Sequence, residues 1–421
     1  MRQAGDWITS YLLYTENTEP PELYRKWTAI SVIASVLQRK CFLKWGRRTF
    51  YPNFYIVLIG PPAAARKSTA MGDGFEFLLQ PGLNIHLAVD STSRASLIRD
   101  LKDAQDNYTD SEGKIWLHSS LTVHSPELTV FLGYKDLQLL TDLIDWYDST
   151  KNPWVHKTVQ GGPQAIPGVW LNLMGATTPD LLRSSLPLEA VGGGLTSRML
   201  FLYSNKMGKK VPDEFETREE MEIKEWLMHD LGGIALMGGQ FKISQTCLSA
   251  YIDWYMAFNE QEECKDPRFA GYFGRKPTTL RKLLMIMCAS RGNEKVISIE
   301  DFNKALGYLN EVEKTMYFAL QGVGKNKFAE VMGKIMEELG RIKVCDYAYL
   351  MYKFRDDVTR FELDIVMKSL EAMRYCIVYE NTGEIHYNEE FSESKEGHTK
   401  ALRKAAQSRA KIENDLSEMG S

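Results

Sequence analysis

The segment NFYIVLIGPPAAARKSTAMGDGFEF, residues 53–77, restricts the possible folds more than any other part of the chain. Its apolar start, rich in aromatic and branched residues, predicts a buried central strand, and KSTAMGDGFEFLL predicts a helix. Strand, loop and helix in this order are the context of a phosphate-binding loop with the pattern G-x-x-x-x-G-K-[ST]. Gly60, Lys67 and Ser68 fit that pattern, although the interval between Gly60 and Lys67 is one residue too long and Arg66 replaces the second glycine.

Two side chains of this loop have the chemistry that nucleotide binding requires. Lys67 can neutralise the β- and γ-phosphates of ATP, and the hydroxyl of Ser68 can ligate Mg²⁺. Alanines let the backbone approach a phosphate, provided that their φ angles stay negative. The segment expected to contact the nucleotide comprises Gly60, Ala64, Ala65, Arg66, Lys67, Ser68 and Thr69. The alternative is an ordinary turn between a strand and a helix.

Strand and helix patterns alternate around this loop and as far as about residue 210. Strands are expected in NIHLAVD, before Glu127, in LNLMGATTP and after LTSR, and a helix in STSRASLIRDLKDA, capped at Ser91 or Thr92. This alternation predicts an α/β fold with a mostly parallel sheet. From about residue 210 to the end of the expected lid, only amphipathic helices are predicted.

The first fifty residues are expected to be mostly helical. ELYRKWTAISVIASVLQRKC has apolar residues at helical spacing, with Trp27, Ile30, Ile33 and Leu37 on one face. A basic cluster follows, made of Arg39, Lys40, Lys44, Arg47 and Arg48. Its two interpretations are a solvated face and a contact with nucleic acid.

Four polar residues stand where they could serve a nucleotide site. Glu127 ends the strand of LTVHSPEL, and Thr178 follows the strand of LNLMGATTP. Arg198 directly precedes the strand of GGGLTSRMLFLYS, and Arg281 lies in the helical segment TTLRKLL. Three of them have a plainer explanation: a carboxylate that begins a helix for Glu127, a Thr-Pro turn for Thr178, and a surface arginine for Arg198.

Two further segments bear on nucleic acid. WVHKTVQGGPQAIPGVW predicts a hairpin in which His156 and Lys157 could contact a phosphate backbone, although a purely structural hairpin explains it equally well. Near the carboxyl end, three amphipathic helices and a final hairpin predict a winged helix. The capping box from Thr359 to Glu362 opens its third helix. The mixed charge of that helix favours a protein contact as much as a DNA groove.

Composition excludes some classes of protein. The formal net charge is −4 over 421 residues, so any nucleic-acid binding must come from local patches. The six cysteines form no C-x-x-C pair, which favours reduced thiols. The polar start MRQAGDWITS is unlike a signal peptide, and the apolar run TAISVIASVL is too short to span a bilayer. We therefore expect a soluble, cytoplasmic protein without a membrane partner.

Taken in order, these segments resemble the AAA+ ATPases. LTSRMLF is similar to the arginine-finger segment of MCM-type helicases. The series YPNFYIVLIGPP, RKSTAMG, SPELTVFLG, LNLMGATTPDLL and GGGLTSRMLFLY resembles, over about residues 20–320, the primase/helicase-like P-loop proteins of phages and mobile elements. This resemblance implies ATP and Mg²⁺ as cofactors and a ring-shaped homo-oligomer, by analogy a hexamer. It also implies single- or double-stranded DNA and phage replication proteins as partners, and the bacterial host cytoplasm as the location.

The resemblance also implies roles for single residues. Glu127 would orient the attacking water, Thr178 and Arg281 would sense the γ-phosphate, and Arg198 would complete the site from an adjacent subunit. The chain departs from the family in its glycine-poor loop and in the missing aspartate before Glu127, where Ser125 or Pro126 stands. These departures affect the expected rate of hydrolysis more than nucleotide binding.

The expected organisation has five parts. They are an N-terminal helical segment (1–50), an α/β AAA+ core (51–208), a helical lid (209–322), a winged helix (326–390) and a charged mobile tail (391–421). The function that fits them is an ATP-driven DNA helicase or translocase of a phage-like replication module. Two rivals remain open, namely a replication initiator or helicase loader that does not unwind DNA, and a non-enzymatic scaffold.

Overall fold

The fold is taken from a computed structural model that describes most of the chain. The described residues are 2–89, 93–110, 112–133, 136–158, 162–185, 193–213, 215–264, 266–320, 328–379 and 382–388. The chain divides into two compact units, Met1–Gln321 and Gly322–Ser421. The first three expected segments fall within the first unit except for residue 322, and the expected winged helix falls within the second. The expected tail, 391–421, lies outside the described residues.

The regular elements of the first unit alternate along the chain. Its helices are α1 (Trp7–Tyr14), α2 (Glu22–Leu37), α3 (Lys67–Leu78), α4 (Arg94–Asp103), α5 (Leu128–Leu132), α6 (Leu137–Asp148), α7 (Pro179–Ser185), α8 (Arg218–Ala235), α9 (Gln245–Ala257), α10 (Glu260–Glu263), α11 (Ala270–Arg291) and α12 (Ile299–Thr315). Its strands are β1 (Cys41–Trp45), β2 (Arg48–Phe50), β3 (Tyr55–Ile59), β4 (His86–Val89), β5 (Gln105–Thr109), β6 (Ile115–Ser125), β7 (Trp154–Thr158), β8 (Gly162–Ile166), β9 (Val169–Thr177), β10 (Met199–Tyr203), β11 (Gly239–Ile243) and β12 (Val296–Ile297).

The central sheet confirms the predicted α/β architecture. Its strand order is β10-β3-β9-β6-β4, with every pair parallel, and β5 adds one antiparallel strand beside β6. Every residue of β3 and of β9 is buried. A parallel strand covered on both faces has no solvated side, which explains the continuous apolar runs YIVLI and VWLNLMGAT.

Helices cover both faces of this sheet. The side chain of Asn172 in β9 donates to the carbonyl of Ser31, so this face of the strand meets α2. Leu173, the next residue, points to the opposite face and pairs in register with Tyr55 of β3. The hydroxyl of Tyr55 donates to the carbonyl of Leu143 in α6. The sheet is therefore a middle layer between α2 and α6.

Helix α2 is more deeply buried than a single apolar face would require. Every residue from Lys26 to Leu37 is buried, including the polar Thr28. The helix therefore lies within the core of the first unit. The apolar face predicted from the sequence is only part of its buried surface. Helix α4 is capped by Ser93, whose side chain accepts from the N–H of Ser96. The expected caps, Ser91 and Thr92, lie outside the described residues.

A second sheet contradicts the expectation that strands end near residue 210. Its order is β12-β11-β1-β2, so the segment expected to be purely helical after residue 210 contributes two strands, and residues 1–50 contribute the other two. β11 pairs with β1 across about two hundred residues of sequence. β12 has two residues, too few to give a strand pattern in the sequence. The expected lid and the expected N-terminal segment therefore share one sheet.

Two members of the basic cluster after α2, Arg39 and Lys40, are drawn into the fold, whereas Lys44, Arg47 and Arg48 are exposed. The guanidinium of Arg39, 9% exposed, donates to the carbonyls of Ser149, Thr150 and Val169. Lys40 donates to the carbonyl of Ala235. These two cations join segments that are distant in the sequence.

The second unit contains the three helices and the hairpin expected there. They are α13 (Ala329–Ile342), α14 (Tyr347–Lys353), α15 (Arg360–Ala372) and the strands β13 (Val344–Asp346), β14 (Cys376–Tyr379) and β15 (Glu384–Tyr387). The strands form an antiparallel sheet in the order β13-β15-β14. The predicted capping box of Thr359 and Glu362 is present at the start of α15. Leu339, Leu350 and Leu363 are fully buried in an apolar core of this unit.

No helix among the described residues combines the length and the apolar character needed to cross a bilayer.

Candidate nucleotide-binding site

The loop from Gly60 to Arg66 joins β3 to α3, as the sequence pattern predicts, but its backbone differs from expectation. Ala63 has a φ of 57° and Arg66 a φ of 50°, both in the left-handed region. The condition that the φ angles of the alanines stay negative is therefore not met at Ala63. A left-handed residue with a Cβ costs roughly 1 kcal/mol relative to glycine. Ala63 and Arg66, which both carry side chains, thus adopt the backbone conformations that glycines usually adopt in such a loop.

The main-chain N–H groups at the start of α3 determine which kind of ligand the site attracts. The hydrogen bonds among the described residues include none donated by the N–H groups of Ala65, Arg66, Lys67, Ser68 or Thr69. Arg66, the N-cap residue, makes no capping bond with its side chain. Unpaired N–H groups at a helix N-terminus, together with the positive end of the helix dipole, attract phosphates and other anions.

Lys67 adds a positive charge at the same place. Its Nζ donates to the carbonyl oxygens of Gly60, at 2.8 Å, and of Pro61, at 3.1 Å, which draws the side chain back across the loop. Partial burial lowers the pKa of Lys67 below its ordinary value, and the negative charge of Glu127 opposes that shift. Glu127 is exposed at the N-cap of α5, two residues after the end of β6.

Thr178 lies between these two groups in the order of the sheet. β9, which ends at Thr177, is the direct neighbour of β3, and the N–H of Gly60 donates to the carbonyl of Thr177 at 3.4 Å. The hydroxyl of Thr178 accepts from the N–H of Leu181 at the start of α7. Because parallel strands end at the same edge, the loop, Thr178 and Glu127 share the carboxyl edge of the sheet. The strand of Glu127 is the second neighbour of β3, because β9 lies between them.

Several residues that hold this loop are not apparent from the sequence. A Cβ on Gly60 would lie 2.3 Å from the carbonyl oxygen of Ser204, so only glycine fits at this position. The hydroxyl of Tyr24 donates to the carbonyl of Ile59 and accepts from the N–H of Ser204, which ties the ends of β3 and β10 together. Glu19 forms an ion pair with Arg66. No spacing in the sequence relates Glu19 or Tyr24 to the loop.

A magnesium ion fits the residues of this edge. Ser68 is exposed on the first turn of α3, and Glu127 supplies a carboxylate near Lys67. No group of three His, Cys, Asp or Glu residues suited to a metal occurs in the described part of the chain. Mg²⁺ in phosphate sites commonly takes one or two protein oxygens and completes its shell with waters and phosphates, so the hydroxyl of Ser68 as the protein ligand is compatible with it.

Arg198 lies apart from the loop. It precedes β10, which runs parallel to β3 with Met199 opposite Tyr55, and therefore lies at the amino edge of the sheet. Arg198 is 8% exposed, and its guanidinium binds both carboxylate oxygens of Asp148, at 2.5 and 3.2 Å. The alternative of a surface arginine is wrong. Within one subunit, Arg198 and Lys67 lie at opposite edges of the sheet.

Arg281 is also separate from the loop. Its guanidinium lies about 5 Å from three aromatic rings, at 4.9 Å from Trp45, 5.2 Å from Phe50 and 5.0 Å from Tyr251. Burial lowers the pKa of Arg281 from its ordinary value. These rings belong to the second sheet and to α9, so the side chain joins α11 to them. Its guanidinium faces these rings and not the loop, so the arrangement offers no support for the expected contact with a γ-phosphate.

The predicted hairpin is present as β7 and β8. His156 stacks on Trp154, with ring centroids 5.6 Å apart and the planes 1° from parallel. The backbone of Lys157 pairs with that of Pro163, whereas the side chain of Lys157 lies outside the described part of the structure. The tip, residues 159–161, also lies outside it.

The sequence gives no significant match to any protein-family model or to any curated protein. Fold and site together define an α/β protein with a mainly parallel sheet flanked by helices, an architecture compatible with a P-loop core.

Proposed function

We propose that the protein binds and hydrolyses ATP at the loop between β3 and α3, in a core of the AAA+ class. The observation that carries this proposal is the row of five N–H groups, residues 65–69, that donate no hydrogen bond within the described part of the chain and lie beside the ammonium of Lys67. A triphosphate satisfies both, since it offers the N–H groups acceptors and the lysine a negative charge. The left-handed residues Ala63 and Arg66 maintain the curvature of the loop.

The residues of the carboxyl edge have separate roles in this proposal. Ser68 holds Mg²⁺, which when bound neutralises charge on the phosphates. Glu127 orients the attacking water, and Thr178 contacts the γ-phosphate from the strand between them. Ser125 or Pro126 stands in the place where the family has an aspartate, so the magnesium lacks one of its usual indirect supports and turnover is slow.

The proposed biological role is that of an oligomeric DNA helicase or translocase in a phage-like replication module. Arg198 acts on the nucleotide of an adjacent subunit, because it lies at the opposite edge of the sheet from its own Lys67. A ring, by analogy hexameric, brings these two edges together. The second unit is a winged helix in this proposal, supported by its three helices and the sheet order β13-β15-β14.

The alternative is an initiator or loader that uses ATP as a switch. The bidentate bond between Arg198 and Asp148 favours it, because a finger held by its own subunit must be released before it can act in the next one. Tight nucleotide binding with almost no turnover would support the switch. A strand-displacement assay then separates a loader from a helicase.

Nucleotide binding and turnover test the central proposal directly. A fluorescent ATP analogue should bind the full-length protein, and Lys67→Ala should weaken binding at least a hundredfold, with Lys102→Ala on α4 as a matched control. Steady-state hydrolysis should rise with single-stranded DNA, and mass measurement with ATP and DNA should reveal an oligomer. If Lys67→Ala binds ATP as the parent does, this loop is not the site. If the parent binds no nucleotide, the scaffold hypothesis replaces both ATP-dependent functions.

A further inference from the structure

Two adjoining cavities lie at the other edge of the central sheet from the nucleotide loop. Their volumes are about 350 and 420 Å³, and both are lined by Thr49, Tyr51 and Lys151. Because these residues belong to both, the cavities form one continuous depression, which we call the basic groove. Its first part also includes the side chains of the turn between β1 and β2, and its second part extends past the start of β6.

The position of the basic groove follows from the direction of the strands. Asn53, two residues before β3, and Gly168, directly before β9, line it. It therefore opens at the amino edge, whereas Lys67 lies at the carboxyl edge. The five residues of β3 separate the two edges by roughly 16 Å at ~3.3 Å per residue. The groove is distinct from the proposed nucleotide site.

Positive charge dominates the lining. The cations are Arg39, Lys40, Lys44, Arg47, Arg48, Lys151, Arg275 and Lys282. Asp148 is the one acidic side chain among the described residues that line it, and Arg198 and Arg275 already bind it. Lys44, Arg47, Arg48 and Lys151 are exposed and form no ion pair with a carboxylate in the described chain. Four unpaired cations around one depression attract a polyanion.

Two acidic side chains lie beside the second cavity, and both are already hydrogen-bonded. Asp106 accepts from the side chain of Asn84, and Asp110 accepts from the indole N–H of Trp116. Both lie on or next to β5, at the side of the second cavity. They do not neutralise the exposed cations of the turn between β1 and β2.

Aromatic rings alternate with these cations. Phe42, Tyr51, Tyr108 and Trp116 line the second cavity. Trp116 is 47% exposed, and the ammonium of Lys114 lies 3.9 Å from its ring centre, so a cation covers one face. Arg39 lies 4.2 Å from the ring of Tyr51. Large rings that stay accessible beside cations can stack on flat, electron-rich groups.

We propose that the basic groove binds single-stranded nucleic acid, with phosphates at the exposed cations and unpaired bases against Trp116 and its neighbours. Cations that follow a backbone and rings that stack on bases are the two components of such sites. A single nucleotide would occupy only one of the two cavities. An acidic protein would use the cations but not the rings. The proposal rests on the proposed action on nucleic acid, but does not require ATP binding at Lys67.

The test uses fluorescence anisotropy of a labelled oligo-dT with the full-length protein. Arg47→Glu/Arg48→Glu should weaken binding at least tenfold and should reduce the slope of log K against log salt by about 1.4, or 0.7 for each lost phosphate contact. Trp116→Ala should weaken binding about tenfold, and Trp116→Phe, which keeps a ring, should weaken it less than threefold. A blunt duplex of matched length should bind more weakly than the single strand, because its bases are not free to stack.

Arg99→Glu/Lys102→Glu on α4 is the matched control, since it makes the same change in charge at exposed positions outside the groove. It should bind oligo-dT within threefold of the parent. Equal losses in both double variants would overturn the proposal, as would equal binding of the duplex or full competition by polyglutamate. Binding of the ATP analogue is measured on the same proteins. If nucleotide binding is absent while the groove variants lose DNA, the proposed function fails and the groove stands. If the groove variants bind DNA normally, the proposal for the basic groove is wrong and the proposed ATP binding is unaffected.

Discussion

At Arg66 a residue with a long side chain takes the backbone conformation that suits glycine best. Its φ of 50° is paired with an ion pair to Glu19, so the position has both a conformational cost and a side-chain contact. The sequence indicates a departure from the usual phosphate loop here, but the sign of φ is not visible in it. The conformational cost can be separated from the contact by two substitutions that remove the same ion pair.

Arg66→Ala and Arg66→Gly both remove the contact with Glu19, but only glycine relieves the left-handed backbone. We expect Arg66→Gly to be about 1 kcal/mol more stable than Arg66→Ala and to keep its affinity for the ATP analogue. The change in the midpoint of urea unfolding measures the difference. Equal stability of the two variants would mean that the loop does not hold this φ angle in solution.

The burial of His118 predicts that the stability of the fold depends on pH. It is 3% exposed, its Nδ1 lies 2.9 Å from the hydroxyl of Ser120, and burial lowers its pKa to about 4. Because the folded pKa lies below the ordinary value near 6.5, protons favour the unfolded chain, and stability falls as the pH drops from about 6.5 to about 4. The loss from this group is about 3 kcal/mol across that window.

The measurement is urea unfolding at pH 7 and at pH 4.5, for the parent and for His118→Asn. The asparagine amide can replace Nδ1 as a partner for Ser120 but does not titrate. We expect the variant to lose about 2 to 3 kcal/mol less than the parent between the two pH values. The same loss in both proteins would assign the acid sensitivity to other groups.

At the scale of the element, local patterns and long-range pairings differ in how far the sequence predicts them. The strand–loop–helix around Lys67 was predictable, because a buried parallel strand is a continuous apolar run and the loop pattern is local. β11 and β12 were not, since both are short, β11 pairs with the distant β1, and β12 pairs with β11. For the same reason the ion pair of Arg198 with Asp148 and the aromatic contacts of Arg281 were not foreseen.

Hydrogen bonds of Asn172 join β9 to α2, and the sequence does not predict them either. We call this set of hydrogen bonds the polar clamp. The amide of Asn172 donates to Ser31 and Ser35 of α2, and its oxygen accepts from the N–H of Phe54. Asn172→Leu leaves that buried N–H without its partner and should lower the free energy of unfolding by about 3 kcal/mol. Ser35→Ala removes one of the contacts and should cost about 1 kcal/mol. Urea unfolding midpoints give both values, and a cost of Asn172→Leu no larger than that of Ser35→Ala would contradict the clamp.

At the scale of the whole molecule, the first compact unit combines segments that the sequence patterns treat separately. Residues 51–208 contain the central sheet and the nucleotide loop, but α2 lies against that sheet and β1 pairs with β11. Trp27 and Ile30 of α2 and Leu283 of α11 are fully buried. The compact unit is Met1–Gln321. The expected N-terminal segment and the expected lid therefore supply part of its core.

Two fragments of the chain test this difference. Residues 1–321 should fold without the rest and bind the ATP analogue within threefold of the full-length protein, since the loop and all its described supports lie in that unit. Residues 51–208 should fail to fold, because removing α2 exposes apolar surface of the sheet and removing Tyr24 frees the end of β3. Circular dichroism and cooperative urea unfolding distinguish the two outcomes. A cooperative transition in fragment 51–208 would mean that the core stands alone, and that the N-terminal segment and the lid are additions to it.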